Sequence, residues 1–183
     1  MKVNIAGYKD DESERDVLIE IEDHDVWNLD HTLAMVIHPA LVLLKEVKHG
    51  SPIVDNEDVP EALRRPKGLD EHGAEGDEHY FDRWDYVLDE MIWAFAQIVD
   101  GDNDSQFHTG EHDVYWQALD AKHQPIGEPF PFDEDRKDKA EFYEMIKGPN
   151  DTSHFNSEAY RVHHERIKRG TSLFGKYYSG LWD

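Results

Sequence analysis

The sequence lacks cysteine altogether, which excludes disulfides, thiolate metal sites and cysteine nucleophiles from this chain of 183 residues. Basic residues are also scarce, because 19 Lys and Arg stand against 41 Asp and Glu and give a formal net charge of −22. Nucleic acids and anionic membrane surfaces attract clustered positive charge, so we expect no direct binding to either. The partner that this charge favours is a basic protein.

Long apolar runs and recognisable nucleophile motifs are absent as well. The longest apolar-rich stretch, residues 33–44, is interrupted by His38 and Pro39. The sequence therefore predicts neither a transmembrane nor a secretory segment. No G-x-S-x-G motif, P-loop or dinucleotide fingerprint occurs, so serine and P-loop phosphoryl-transfer chemistry are not expected.

The chain is nevertheless rich in aromatic residues, which make up 11% of it. Such rings bury large areas and favour a folded protein over a disordered one. Period-two alternation in residues 2–8 and 16–22 predicts an antiparallel strand pair. Helical spacing predicts a first main helix from Asn28 or Asp30 to Gly50, kinked near Pro39.

Two further main helices are predicted, one over residues 79–101 and one from about Glu158 towards the carboxyl end. Residues 114–127 fit either a hairpin or a short helix. The stretch 128–138 is typical of a Pro-containing acidic loop, and residues 139–150 of a short helix that Gly148 and Pro149 end.

Residues 50–79 are rich in Gly, Pro and acid and show no sustained period. A connection of this length predicts a lid-like or mobile segment, with one short helix at residues 58–65.

These patterns together predict a single α+β domain over residues 1–183. Three main helices would pack on a small antiparallel sheet formed by the N-terminal pair, to which residues 113–126 could add. The predicted core draws on all of these elements: Ile5, Val17, Ile19, Leu33, Ile37, Leu41, Leu44, Trp84, Leu88, Ile92, Phe95, Ile167 and Phe174.

Four segments carry a family resemblance: WNLDHTLA at 27–34, LLKEVKHGSPIVDNEDVPEALR at 43–64, RWDYVLDEMIWAF at 83–95 and FGKYYSGLWD at 174–183. Together they resemble a family of small acidic proteins from tailed phages and environmental viruses. The resemblance implies a viral origin and therefore a location in the host cytoplasm or the virion. It implies no particular activity and no catalytic residue.

One candidate metal site follows the second helix, where the run DGDNDSQFHTGE resembles a twelve-residue calcium loop. Its ligands would be Asp100, Asp102, Asp104, Gln106 through its carbonyl, and Glu111. The sixth position is Ser105, where such loops carry glycine to make a sharp turn. The alternative is a solvated acidic turn after a helix.

A second candidate site lies on the second helix itself. Helical spacing places Asp82, Asp85 and Asp89 on one face, with Glu90 beside it. Facing Glu46 and His49 of the first helix, these carboxylates could hold Mg²⁺, as in all-α nucleotide pyrophosphohydrolases. The alternative is the solvated polar face that every amphipathic helix must have.

The charge reverses near the carboxyl end, where residues 157–183 contain five basic and three acidic residues. Arg161, Arg166, Lys168 and Arg169 are therefore candidates for partner binding. The alternative is that they neutralise acidic residues within the fold.

Three functions follow from these observations. The first is a viral accessory protein that binds a host or viral protein through an acidic surface. The second is a divalent-metal-dependent nucleotide hydrolase that uses the helical carboxylates. The third is a structural virion component, stabilised by Ca²⁺ in the loop at residues 100–111.

Overall fold

A computed structural model describes residues 1–7, 15–68, 76–101, 104–131 and 140–182 of the chain. The chain divides into two compact units, one of residues 1–103 with 162–183 and one of residues 104–161. The α+β class is confirmed, with three main helices and small antiparallel sheets. The expectation of one domain over residues 1–183 stays a prediction.

The three main helices have bounds close to the predicted ones. Helix α1 spans Leu29–Val47, α2 spans Tyr80–Val99 and α3 spans Ser157–Lys176. Asn28 precedes α1 as its N-cap residue, as the sequence suggested. None of the helices in the described part of the chain combines the length and apolar content that a membrane crossing requires.

The core of the first unit is centred on α2. Trp84, Leu88 and Met91 are fully buried there, and they belong to one apolar cluster with Leu41 of α1 and Leu173 of α3. Burying an aromatic ring and several aliphatic side chains in one cluster is the main favourable contribution to folding of such a unit.

The predicted core is confirmed for eight residues of the helices and wrong for four residues, one of which, Leu33, lies in α1. The predicted core residue Ile167 is half-buried on α3. The confirmed residues are buried or pack partly buried against the cluster: Ile37, Leu41, Leu44, Trp84, Leu88, Ile92, Phe95 and Phe174. Four others are exposed, namely Ile5, Val17, Ile19 and Leu33. A period-two or helical pattern identifies one face of an element, but it does not show that another element covers that face.

Residues 51–68 pack on the apolar cluster of the first unit, to which they belong. Val54 and Val59 are buried in its apolar cluster, and a Cβ at Gly180 would lie 2.9 Å from the Pro52 side chain. The predicted short helix is a single 3₁₀ turn at Glu61–Leu63, preceded by another at Asn56–Asp58. Part of the segment that we predicted to be lid-like, residues 69–75, lies outside the described residues.

The predicted N-terminal strand pair is confirmed. Strand β1 (Lys2–Ile5) pairs antiparallel with β2 (Val17–Glu20) in a sheet of their own. The register places Val3 opposite Ile19 and Ile5 opposite Val17, so one face of this hairpin is entirely apolar.

The second unit is built on a three-stranded antiparallel sheet in the order β5-β4-β6. Its strands are β4 (Val114–Leu119), β5 (Pro125–Pro131) and β6 (Phe142–Lys147). Two-residue strands β3 (His108–Thr109) and β7 (His154–Phe155) form a separate pair.

The strands of this sheet show which of the two structures predicted for residues 114–127 forms, and they differ from the predictions for residues 128–138 and 139–150. Residues 114–127 form the hairpin alternative, whose turn Asp120 stabilises by accepting hydrogen bonds from the backbone N–H groups of Lys122 and Gln124. Residues 128–131, expected in a loop, belong to β5. The short helix predicted over 139–150 is wrong, because pairing such as Trp116 with Met145 draws this brief apolar run into the sheet.

Candidate functional site

The carboxylates on the exposed side of α2 are each held by a positively charged or imidazole side chain. Lys48 Nζ lies 2.6 Å from Asp85 Oδ1, and Lys45 of α1 donates a hydrogen bond to Asp89. The Nδ1 atom of His79 lies 2.9 Å from Asp82 Oδ2. An ammonium group therefore stands beside Asp85 and Asp89 at the place where a magnesium ion was predicted.

Glu90 occupies a different environment, because its carboxylate is buried between α2 and α3. Arg166 Nη2 donates to Glu90 Oε1 at 2.7 Å, and Arg169 Nη1 donates to Oε2 at 3.1 Å. The Arg166 guanidinium also lies 3.9 Å from the centre of the Trp93 ring. Two cations on one buried carboxylate compensate the cost of removing it from water.

Glu46, the remaining member of the predicted magnesium site, is exposed on α1. The charged side chains that reach α2 from this region are Lys45 and the C-cap residue Lys48, one position before Glu46 and one before His49. Across the described part of the chain, no group of three or more His, Asp or Glu residues could hold a metal ion. The geometry thus gives the hydrolase hypothesis no support.

The predicted calcium loop is described only in part, because Asp102 lies outside the described residues. Asp100 is the C-cap residue of α2. Downstream, residues Ser105–Phe107 form one 3₁₀ turn that leads into β3, whereas a calcium loop of this type leads into a second helix. The other predicted ligands, Asp104, Gln106 and Glu111, are exposed, and calcium binding stays a prediction.

The basic residues near the carboxyl end have separate contacts. Arg161 Nη2 donates to Glu158 Oε1 at 2.7 Å within α3, and this pair holds the pKa of Glu158 below its usual range. Arg166 and Arg169 are held by Glu90, and Arg169 also donates to the Asp58 carbonyl at 2.7 Å. Lys168 is exposed on α3. This arrangement favours neutralisation within the fold over partner binding for Arg166 and Arg169.

The sequence analysis missed the buried ion pair at the start of α2. Arg83, only 1% exposed, pairs with the buried Asp77 and donates to the Leu63 carbonyl at 2.9 Å. The hydrogen bond from Arg83 holds the pKa of Asp77 below its usual range, although burial opposes this effect. The sequence signal for this pair was that Arg83 directly precedes Trp84, a residue of the apolar stripe of α2. Nothing in the sequence identified the partner of Arg83.

A second missed network fixes residues 51–68 to the end of α3. Lys176 Nζ lies 2.7 Å from Asp55 Oδ2 and 2.6 Å from Asp58 Oδ2, and these hydrogen bonds raise the pKa of Lys176. Tyr177 donates to Asp58 Oδ2 at 2.6 Å and accepts from the Asp55 backbone N–H at 2.9 Å. Burial and the bond to Asp58 raise the pKa of the Tyr177 hydroxyl.

An exposed apolar surface is the feature of the first unit that these networks leave unexplained. On the hairpin, Val3, Ile5, Val17 and Ile19 are between 38 and 58% exposed. Helix α1 is the most apolar of the three helices, yet Ala34 and Leu41 are its only buried residues. Exposed apolar surface on a protein with so much charge is typical of an interaction site.

A groove lies beside this surface of α1. It has a volume of about 270 Å³ and is formed by α1 together with Phe174 and Leu181. Its α1 side includes Val36, Ala40 and Leu44. A cavity of this size and apolar lining accommodates one or two large apolar side chains.

Comparison with protein-family models, with curated proteins and with solved structures finds no match to this chain. The geometry of the first unit is therefore the basis for assigning a function.

Proposed function

We propose that this protein is a viral accessory protein that binds a basic host or viral protein through its acidic surface. The observation that carries the proposal is that basic side chains of the first unit are paired with carboxylates inside that unit. Lys45, Lys48, Arg166, Arg169 and Lys176 each form an ion pair with a carboxylate of the same unit. Other carboxylates of the described part of this unit, among them Asp30, Glu46 and Glu61, are exposed to solvent.

An acidic surface of this kind acts at a distance on a basic partner. Complementary charge accelerates association at low ionic strength, and salt screens the attraction over about 10 Å at 0.1 M. Charge accelerates the encounter, whereas affinity needs contact area. The exposed apolar side chains of α1 and the hairpin supply that area, because desolvated apolar contacts provide most of the affinity once the partners have met.

A capture experiment with the full chain tests this function. The immobilised protein is exposed to host lysate at about 50 mM and about 500 mM salt, concentrations that bracket effective screening. A polyglutamate resin of equal charge density is the control for simple ion exchange. We expect capture of at least one basic protein that polyglutamate does not retain, with recovery reduced at high salt.

Two results would contradict the proposal. One is the absence of any protein enriched over polyglutamate at low salt. The other is an enriched set whose members are acidic and whose recovery does not change with salt.

A further inference from the structure

The exposed apolar residues of α1 follow a heptad pattern. Six of them recur at spacings of four, three, four, three and four residues: Leu29, Leu33, Val36, Ala40, Leu43 and Val47. All six are exposed, five of them between 40 and 58%. Apolar residues that alternate at three and four positions form the contact line of one helix with another in a coiled coil. We call these six residues the α1 seam.

The α1 seam is distinct from the face of α1 that meets the core. The core face consists of Ala34, Ile37, Leu41 and Leu44, which pack on the apolar cluster around α2. Each core-face residue lies one position after a seam residue, so the two stripes run side by side. One helix thus has an apolar stripe for its own fold and a second stripe that no element in the described part of the chain buries.

The groove beside the seam could receive a side chain of a partner helix. Val36 and Ala40 belong to the seam and also form the edge of the groove, whose other wall contains Phe174 and Leu181. A helix laid along the seam would place one large side chain over this groove, as amphipathic helices do in hydrophobic grooves. From Leu29 to Val47 the seam runs about 27 Å, which corresponds to about five turns of a partner helix.

The charges beside the seam decide what kind of helix fits. The flanking positions of the heptad hold Asp30 and Glu46 and otherwise no charged residue. Lys45 of α1 and its C-cap residue Lys48 do not flank the seam, since they reach Asp89 and Asp85 of α2. A second copy of this chain would bring the same two acids to the interface, and its own net charge would also be −22. Flanking charges select coiled-coil partners by sign, so the seam disfavours self-association.

From these observations we infer that the α1 seam binds an amphipathic helix of a partner protein, with apolar residues at heptad spacing and Lys or Arg at the flanking positions. This inference rests on the proposed function and names the surface and the partner chemistry that the function would use. The apolar stripe provides the contact area, and Asp30 and Glu46 provide the preference for a basic helix.

A designed peptide probes the seam in the full-length protein. The peptide has about three heptads, with Leu at the two seam positions of each heptad and Lys at the flanking positions. A second peptide is identical except for Glu at the flanking positions. We expect fluorescence anisotropy to show binding of the Lys peptide and at least about tenfold weaker binding of the Glu peptide.

Substitutions identify the surface that the peptide occupies. The variant Leu33→Ser/Leu43→Ser removes two exposed seam side chains and leaves the core face intact. Its matched control, Met145→Ser/Val162→Ser, removes two apolar side chains of similar exposure elsewhere. We expect the seam variant to weaken binding of the Lys peptide about tenfold or more and the control to change it less than about twofold.

Three outcomes would overturn the inference. Equal losses in the seam variant and its control would place the peptide elsewhere, and equal binding of the Lys and Glu peptides would remove the charge preference. A wild-type dimer in sedimentation velocity that the seam variant abolishes would assign the seam to a second copy.

The lysate experiment separates this inference from the proposed function. If the seam variant retains the salt-sensitive captured protein, partner binding stands and the seam is the wrong surface. If the wild-type protein captures nothing basic while the Lys peptide binds the seam, the seam stands and the proposed function fails.

Discussion

Helices α1 and α2 have almost the same length, but the more apolar of the two is the less buried. Helix α1 is the more apolar, but only two of its 19 residues are buried. Helix α2 is less apolar, yet eight of its 20 residues are buried, including Arg83 and Glu90. The core thus forms around the helix whose charges are compensated inside the fold, while the more apolar helix presents much of its surface to solvent. Apolar composition alone does not locate the core of this protein.

The largest expected effect tests the compensated charges around α2. Asp77→Asn leaves the buried Arg83 without its carboxylate, so we expect a loss of about 3–5 kcal/mol in the free energy of unfolding at neutral pH. Urea denaturation measures it. The control Asp82→Asn, at an exposed pair with His79, is expected to cost less than about 1 kcal/mol. Equal losses in the two variants would show that Arg83 does not depend on Asp77.

The same pair predicts the direction of the pH dependence. Because the pKa of Asp77 in the folded protein lies below its ordinary value of 3.8, its ionised form stabilises the fold fully above that value. This contribution is lost as the pH falls below 3.8 through the folded pKa. We expect the stability difference between the wild-type protein and Asp77→Asn to shrink in that range, measured by denaturation at stepwise lower pH. A difference that grows on acidification would reverse the assigned sign.

A pair of identical substitutions sharpens the contrast between the helices. Leu88→Ala, in the core face of α2, should cost about 2–5 kcal/mol because it removes a fully buried side chain. Leu43→Ala, in the α1 seam, should change stability by no more than about 0.5 kcal/mol. Thermal or urea unfolding of both variants measures these values. A comparable loss at Leu43 would mean that the seam contributes to the fold and is not a free surface.

A smaller effect tests how closely α3 approaches α2. A Cβ at Gly170 would lie 2.4 Å from the Ala94 side chain and 2.5 Å from the Glu90 carbonyl oxygen, so Gly170→Ala should cost about 1–3 kcal/mol. At Gly175, in the same helix, such a Cβ would meet no atom within 4 Å in the described part of the chain beyond its own neighbours and helix backbone. Gly175→Ala should therefore stabilise the protein by about 0.5 kcal/mol, since alanine favours helix more than glycine. Stabilisation by Gly170→Ala would contradict the close packing of the two helices.

Periodicity in the sequence predicted the elements better than it predicted their contacts. The apolar stripe of α2 gave its bounds and its buried residues Trp84 and Leu88, because a single helical face met a single core. The strand β6 was mistaken for a helix, since a run as short as residues 142–147 fits both periods and its pairing partner β4 is distant in the chain.

The candidate site shows the same limit. Helical spacing predicted the acidic face of α2, but the residues beside this face depend on the rotation of α1. That rotation places Lys45 and Lys48, and neither Glu46 nor His49, on Asp89 and Asp85. The α1 seam was present in the sequence as a second apolar stripe, and Leu33 was assigned to the core from it because a single sequence does not show which stripe is covered.

The most direct test of the α1 seam as a partner-binding surface combines two measurements on the wild-type protein and the Leu43→Ala variant. One is calorimetric titration with the Lys-flanked peptide, and the other is the free energy of unfolding in urea. The account predicts that Leu43→Ala keeps the unfolding free energy within about 0.5 kcal/mol while weakening peptide binding severalfold. Unchanged binding together with a loss of stability comparable to that of Leu88→Ala would contradict it, because Leu43 would then serve the fold instead of a partner.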